Sequence, residues 1–202
     1  IESLKVFSTW EETYGHSVGW KTGWYCFPVY TNPLEETLKS FLPIQKKYGL
    51  EIDWVDAKDI EEIVPGINPE GLIGGTYSPG DGQVSPLKVA AEVEREARAL
   101  GVTYMLNERV VEYVVQSGRV TAVVTDKGTY SAPIVVVATG ADAKDHGDLL
   151  GVGLPVYPDS HEAGISAPIQ QFLAPLVVDM RPGPEGRTAN FYFGQGEGGQ
   201  VI

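Results

Sequence analysis

The chain has 202 residues, enough for one large domain or two small ones, and its hydrophobic share of 43% supports a core, which argues against disorder along the whole chain. The formal net charge of −12 disfavours nucleic acid and anionic membrane surfaces as partners, because like charges repel. The single cysteine, Cys26, excludes an intrachain disulfide, and no apolar stretch is long enough to span a bilayer.

The first part of the chain alternates between helix and strand signals. Apolar side chains at helical spacing predict a helix over residues 1–15, and residues 18–30 predict strands joined by a turn at Lys21-Thr22-Gly23. Asn32-Pro33 opens a second helix that runs to about Tyr48, which Pro43 should kink or split. Three shorter elements follow: a strand at 51–55, a helix at 57–63 capped by Asp56, and a strand at 72–77.

The middle of the chain carries the clearest pattern. Ser85 as N-cap, Pro86 at the first helical position and one apolar face predict a helix that ends at Gly101. The hydrophobic period then switches to two, which predicts a β-meander with short turns. Its strands are expected at 102–106, 110–115, 119–125 and 129–131.

The stretch 134–138 is apolar at every position, the pattern of a strand covered on both faces. It leads into Thr139-Gly140, which lack bulk and would let a ligand approach the carboxyl end of a sheet closely. A helix is expected at about 143–150, and strands at 161–167, 175–181 and 190–194. The predicted fold class is α+β (mixed α/β), with a central mixed β-sheet and flanking helices.

Three strings in this region resemble a known family. They are DGQVSPLKVAAEVEREARALGVTYMLNERVVEYV, GRVTAVVTDKG and IVVVATGA. Their order is similar to that in the central region of flavoproteins of the D-amino-acid oxidase/sarcosine oxidase superfamily. More loosely, the resemblance extends to the whole chain.

The resemblance implies a two-domain enzyme with a Rossmann-like FAD module and a mixed sheet over the flavin. Residues 81–150 would then be part of the FAD-binding domain, including the β-meander and a buried parallel strand. Residues 1–80 and 151–202 would be the first and second parts of the substrate-binding domain. The assignment depends on 134–138 being a strand enclosed on both sides.

The resemblance also implies the site residues. Val110 would contact the adenine-ribose part of FAD through its backbone, and Ala138, Thr139 and Gly140 would lie against the ADP portion. Tyr192 or Phe193 would line the substrate pocket. The N-terminal G-x-G-x-x-G of the family is absent from these 202 residues, and both ends look cut. We therefore expect a central fragment that is inactive and retains no FAD by itself.

The function expected of the full-length protein is FAD-dependent oxidation of the C–N bond of a small amine or amino acid, with sarcosine, dimethylglycine or glycine as examples. Two alternatives are a dehydrogenase of a hydroxy acid or glycerol phosphate on the same scaffold, and a non-catalytic domain that docks on a partner subunit. Beyond the substrate, the expected partners are a partner subunit or an electron acceptor. We expect a cytoplasmic protein without nucleic acid or a membrane span.

Two histidines and one glycine-rich stretch allow further interpretations. His161 is a candidate base or flavin-facing donor, although a partly exposed structural histidine is the reading that we favour. His146 lies among charged residues and looks like part of a solvated helix face. No two histidines have metal-ligand spacing, so we expect no metal. The glycines of 194–199 fit G-x-G-x-x-G but open no helix, which favours a β-hairpin turn over a dinucleotide site.

Overall fold

A computed structural model describes residues 2–183, 191–196 and 198–202 of the chain. The chain forms two compact units, Ile1–Ala97 with Ala163–Ile202, and Arg98–Glu162. The helices and strands up to Ala99 are, in chain order, α1 (Glu2–Ser8), α2 (Trp10–Tyr14), β1 (Lys21–Thr22), β2 (Tyr25–Val29), α3 (Asn32–Lys47), β3 (Asp53–Asp56), α4 (Ala57–Ile63), β4 (Gly74–Ser78), β5 (Gly82–Gln83) and α5 (Pro86–Ala99). The remaining ones are β6 (Val110–Gln116), β7 (Arg119–Thr125), β8 (Thr129–Ser131), α6 (Ala143–Leu149), β9 (Leu176–Asp179) and β10 (Phe191–Phe193).

A five-stranded mixed sheet organises the first unit. Its order is β10-β9-β2-β4-β3, in which β2 and β9 run parallel and every other neighbouring pair is antiparallel. Strands that are distant in sequence therefore lie side by side, because Leu176 and Val177 of β9 pair with Tyr25 and Cys26 of β2. The predicted mixed sheet with flanking helices is confirmed.

The core of the first unit lies between one face of this sheet and α4. Its buried members are Cys26, Ile60, Val64, Leu173 and Val177, each at most 2% exposed. The helix begins where the sequence predicts, because the Asp56 side chain accepts the Asp59 N–H at 3.0 Å. Burying an aliphatic side chain of this size contributes roughly 1.5–3 kcal/mol, so α4 is held chiefly by its Ile60 face.

The second unit contains the predicted β-meander. Strands β6, β7 and β8 form a three-stranded antiparallel sheet in that order. The turn between β6 and β7 has positive φ at both Ser117 (51°) and Gly118 (75°), as a two-residue hairpin turn requires. The sequence predicts this turn correctly because the turn depends only on its own two residues.

The expectation of an enclosed strand at 134–138 is wrong. The stretch has no strand pairing in the described chain, and Ile134 and Val136 are 78% and 81% exposed. A wholly apolar stretch becomes a buried strand only when neighbouring strands and covering helices exist, and the second unit provides a meander that ends at β8 instead. The packing argument for the flavoenzyme assignment therefore fails for this chain, and the assignment needs other support.

Other departures have similar causes. Residues 102–106 and 161–167 form no strand in the described chain, since neither stretch pairs along a sheet. The Ser166 N–H donates to the Val201 carbonyl at 2.9 Å, but this single bond does not extend into a strand pair. The expected turn at Lys21-Thr22-Gly23 is also wrong, because Lys21–Thr22 forms β1, which pairs with β5. Helix α3 runs unbroken through Pro43, which is exposed, as is Lys39, so water can bond the carbonyl that proline leaves without a donor.

The two ends of the chain are only partly described. Ile1 and Asn190, which fall in the predicted helix 1–15 and strand 190–194, lie outside the described residues. No helix in the part of the chain that the structure describes has the length and apolar character needed to cross a bilayer.

Candidate cofactor and substrate site

Val110 occupies the first position of β6, an edge strand of the meander. It lies opposite Thr125, and the flanking bond runs from the Asp126 N–H to the Arg109 carbonyl at 3.0 Å. This pattern marks Val110 and Thr125 as a non-hydrogen-bonded pair, so the N–H and C=O of Val110 point away from β7. The backbone of Val110 can therefore bond a ligand at the free edge of the sheet.

The segment 138–140 forms the entry to α6. A short 3₁₀ turn, Gly140–Asp142, leads directly into the helix, and the Asp142 N–H donates to the Thr139 carbonyl at 3.1 Å. Gly140 has φ of 56°, and a Cβ placed on it would meet nothing within 4 Å. The glycine is thus required by backbone conformation, and it leaves open space beside the turn.

The hydroxyl of Thr139 departs from the general rule that buried polar atoms form hydrogen bonds. Its hydroxyl oxygen is buried and has no hydrogen-bond partner among the described residues. An unmet hydroxyl of this kind costs about 1–3 kcal/mol unless a bonding group joins it. The Thr139 hydroxyl is therefore available to form a hydrogen bond with a bound ligand.

The turn and strand β6 are joined through a pair that sequence reasoning missed. The Tyr113 hydroxyl lies 2.8 Å from His146 Nδ1, and the two rings meet edge to face at 5.9 Å. The interpretation of His146 as part of a solvated helix face is wrong, because its side chain is half-buried against β6. The partner lies 33 residues away in sequence, which local spacing could not indicate.

The face of the first-unit sheet opposite Cys26 combines aromatic and aliphatic side chains. Strand alternation and register place Tyr25 and Phe27 of β2, Leu176 and Val178 of β9 and Tyr192 of β10 on the face opposite Cys26. The rings of Tyr25 and Phe27 stack with centroids 5.6 Å apart. We call these five residues the aromatic face.

The two predicted substrate residues lie on opposite faces. Tyr192 belongs to the aromatic face and is 53% exposed. Phe193, its neighbour on β10, packs instead against the buried cluster that contains Cys26 and Val177. One pocket on one face of the sheet cannot take both side chains directly.

Asp81 gives the neighbourhood of the aromatic face a negative charge. The pKa of Tyr25 is raised, first by burial and then by the charges of Asp81 and Tyr192. The Asp81 carbonyl also accepts the N–H groups of Gly23 and Trp24, at 3.1 and 3.3 Å, which anchors its turn beside β2. In the sequence, Asp81 belongs to the turn-forming stretch Ser78-Pro79-Gly80-Asp81-Gly82, which does not indicate Tyr25 as its neighbour.

A cavity of about 700 Å³ lies beside this turn, within the range of small-molecule sites. Its lining residues come from α1, the end of α3 and β5, and they are mostly apolar. They are Ser3, Leu4, Phe7, Trp20, Ile44, Gln45, Tyr48, Leu50, Asp81, Gly82, Gln83 and Val84. A Cβ on Gly82 would overlap the six-membered ring of Trp20, so the glycine lets the indole lie flat against the backbone.

His161 lies apart from these groups. Its imidazole is 75% exposed in an irregular segment, and its Nε2 lies 3.7 Å from Asp159. The exposed imidazole takes no part in the bonds described for Val110 or for the turn 138–140. Within the described ranges, no three His, Cys, Asp or Glu side chains gather as metal ligands would.

Comparison with known proteins gives these features a context. The family model described as FAD dependent oxidoreductase (DAO) matches residues 1–202. The D-amino acid dehydrogenase of Agrobacterium fabrum is 33% identical over 112 residues, which cover 54% of this chain and 27% of that protein. The mitochondrial dimethylglycine dehydrogenase of Rattus norvegicus is 24% identical over 173 residues, which cover 86% of this chain and 20% of that protein.

The solved structure of L-proline dehydrogenase from P. horikoshii superimposes on 99% of this chain with a TM-score of 0.82 and 23% identity. At that identity the likeness shows the fold. The chain spans 52% of that structure and about a quarter or less of the two curated relatives. The family match extends along all 202 residues and does not depend on how the stretch 134–138 packs. The chain belongs to the DAO family of FAD dependent oxidoreductases.

Proposed function

We propose that the whole protein is an FAD-dependent oxidoreductase that oxidises the C–N bond of a small amine or amino acid. The observation that carries the proposal is the family match along residues 1–202. Two relatives are named for D-amino acids and for dimethylglycine, and the second aligns with 86% of the chain. That breadth favours N-methylated glycines, such as dimethylglycine or sarcosine, as the substrate class.

The residues of the second unit fit one end of FAD. The backbone of Val110 faces the free edge of β6, the Thr139 hydroxyl lacks a partner among the described residues, and space is open beside Gly140. These groups can hold the adenosine part of the cofactor by backbone and hydroxyl hydrogen bonds. Bound FAD would supply the acceptor for the two electrons that leave the substrate.

The aromatic face fits the substrate side. Tyr25, Phe27 and Tyr192 provide aromatic surface against which a small aliphatic molecule can pack, and Asp81 adds negative charge next to Tyr25. Negative charge attracts an ammonium group and repels a phosphate. Among the described residues, the cavity lining contains no Lys or Arg, which favours an amine over the glycerol phosphate alternative. The proposed domains are 1–80 and 151–202 for substrate and 81–150 for FAD.

The experiment is to purify the whole protein, record its visible spectrum, and add candidate substrates without oxygen. We expect a flavin spectrum that sarcosine, dimethylglycine or a D-amino acid bleaches and that glycerol 3-phosphate leaves unchanged. Absence of flavin, or bleaching by glycerol 3-phosphate alone, would overturn the proposal. The 202-residue chain by itself should be colourless, because the G-x-G-x-x-G that would hold the pyrophosphate is absent from it.

A pair of variants tests the aromatic face. Tyr192→Ala should raise KM for the amine by roughly tenfold, since it removes a large aromatic contact from that face. Phe191→Ala is the matched control, because Phe191 lies on the same strand, is 63% exposed and points to the opposite face. Equal effects of the two changes would place the substrate elsewhere.

A further inference from the structure

Two segments proposed to touch the cofactor lie on different elements of the second unit. Val110 is at the start of β6, whereas Thr139 and Gly140 precede α6. A nucleotide that binds both segments needs a fixed distance between Val110 and the turn, because a hydrogen bond weakens steeply when its length or angle departs from the ideal. Some contact must therefore hold α6 in place against the meander.

Helix α6 is rigidly connected to the turn. The 3₁₀ turn Gly140–Asp142 continues into Ala143–Leu149 without a break, so a restraint on the helix also restrains Gly140. At the far end Gly147 is buried, and a Cβ there would lie 2.6 Å from the Val152 carbonyl, so α6 packs closely on the chain that follows it. Lys144 and Asp148 form an ion pair with each other at 2.7 Å.

The side chain by which α6 reaches β6 is His146. Its Nδ1 lies 2.8 Å from the hydroxyl of Tyr113, which is three residues after Val110 on the same strand. Tyr113 is only 7% exposed, and burial raises its pKa, so the phenol keeps its proton and remains a hydrogen-bond donor near neutral pH. The edge-to-face contact of the rings adds a preferred orientation.

We propose that Tyr113 and His146 are a positioning pair, which fixes the turn 138–140 at the distance from Val110 that the adenosine part of FAD requires. The inference rests on the proposed function and goes beyond it, because neither residue touches the cofactor. The pair acts through α6 on one side and through β6 on the other. Losing either partner should loosen the turn without removing any group that binds FAD.

The test measures the Kd for FAD of the whole protein by flavin fluorescence, after removal and readdition of the cofactor. Tyr113→Phe and His146→Leu should each weaken binding roughly 3- to 10-fold, the range that corresponds to one net hydrogen bond. The double variant should be no weaker than either single one, since the two residues act as a unit. His146→Gln should restore affinity to within about twofold, because its amide can still bond the phenol.

Tyr130→Phe is the matched control. It also removes a phenol hydroxyl from the meander. That hydroxyl donates to the Glu108 carboxylate, at 2.7 Å, and not to a residue of α6. It should leave the Kd for FAD unchanged. Hydrogen exchange of the amides of residues 140–147 in the FAD-free protein provides a second readout, and it should speed up in Tyr113→Phe and not in Tyr130→Phe.

The outcomes separate the two levels of inference. Failure of the unaltered protein to bind FAD would refute the proposed function. Two results would overturn the positioning pair alone. One is that Tyr113→Phe binds FAD with the same Kd as the unaltered protein. The other is that Tyr130→Phe loses as much affinity for FAD as Tyr113→Phe does. Additive losses in the double variant, or no recovery with His146→Gln, would also overturn it.

Discussion

The side-chain oxygen of Gln195 accepts the backbone N–H of Leu173 at 3.1 Å, deep inside the first unit, where each residue is 1% exposed. The same oxygen accepts the Phe172 N–H at 2.9 Å, while the amide nitrogen donates to the carbonyls of Gln170 and Gly199 at 3.1 and 3.0 Å. One glutamine thereby fixes the segment 170–173, which leads into the core, to the hairpin that pairs Gln195 with Val201.

Gln195→Leu should lower the free energy of unfolding by about 2–4 kcal/mol, because it leaves buried N–H and C=O groups of the neighbouring backbone without partners. Urea denaturation followed by circular dichroism measures the change. Gln170→Leu is the control, since the Gln170 residue is exposed and only its backbone carbonyl takes part. A loss below about 0.5 kcal/mol for Gln195→Leu would show that the segment 170–173 is held by other contacts.

Gly82→Ala should lower the free energy of unfolding by about 1–3 kcal/mol, because the added methyl group overlaps the Trp20 ring and forces the indole into the cavity. A shift in tryptophan fluorescence should accompany the loss. Gly164→Ala is the control, since a Cβ there meets nothing within 4 Å. If both variants are equally stable, the close contact between Gly82 and Trp20 is absent in solution.

Glu108 should make the stability of the protein sensitive to acid. Hydrogen bonds from the Thr125 and Tyr130 hydroxyls lower the pKa of Glu108 below its usual value, which is about 4.3 in an unfolded chain. A lowered carboxyl pKa stabilises the fold above the unfolded value, and this stabilisation is lost as the pH falls through the folded pKa. Glu108→Gln should therefore flatten the decline in unfolding free energy below about pH 4.3, measured by denaturant titration at several pH values.

The same measurement on Glu112→Gln controls for removing a carboxylate from the meander, because Glu112 is exposed on β6. It should leave the acid slope of the unaltered protein in place. An identical slope for Glu108→Gln and the unaltered protein would mean that the two hydroxyls do not bond Glu108 in solution.

Cys26 should be unreactive in the folded protein. Its side chain is fully buried, and burial raises its pKa to about 12, so at about pH 8 only roughly one molecule in ten thousand carries the thiolate. A chromogenic disulfide reagent should modify it only after denaturant is added. Modification of the folded protein at the rate of a free thiol would show that the cluster around Ile60 opens readily.

Signals confined to a few neighbouring residues predicted several elements correctly. Asp56 caps α4, Ser85 and Pro86 open α5, and Ser117-Gly118 forms the β6–β7 turn, each as its local sequence indicates. The site residues proposed from family resemblance remain predictions for the experiments above.

Features that depend on residues distant in sequence were predicted wrongly. Whether 134–138 becomes a strand depends on neighbouring strands, and whether His146 is solvated depends on Tyr113, 33 residues earlier. Charged neighbours along one helix predict solvent exposure only while no other element packs there. The role of Asp81 next to Tyr25 was hidden in the same way, because a turn residue shows its electrostatic neighbours only once strands have paired.

By itself the sequence determined the starts of α4 and α5, the β6–β7 turn, the three paired strands of the meander and the family, since each depends on residue types at short, fixed spacing. Only the tertiary structure decided that β9 returns to pair with β2, that Phe193 faces the core while Tyr192 faces outward, and that His146 meets Tyr113. Those outcomes depend on burial and hydrogen bonds between distant segments, whose free energy no local pattern encodes.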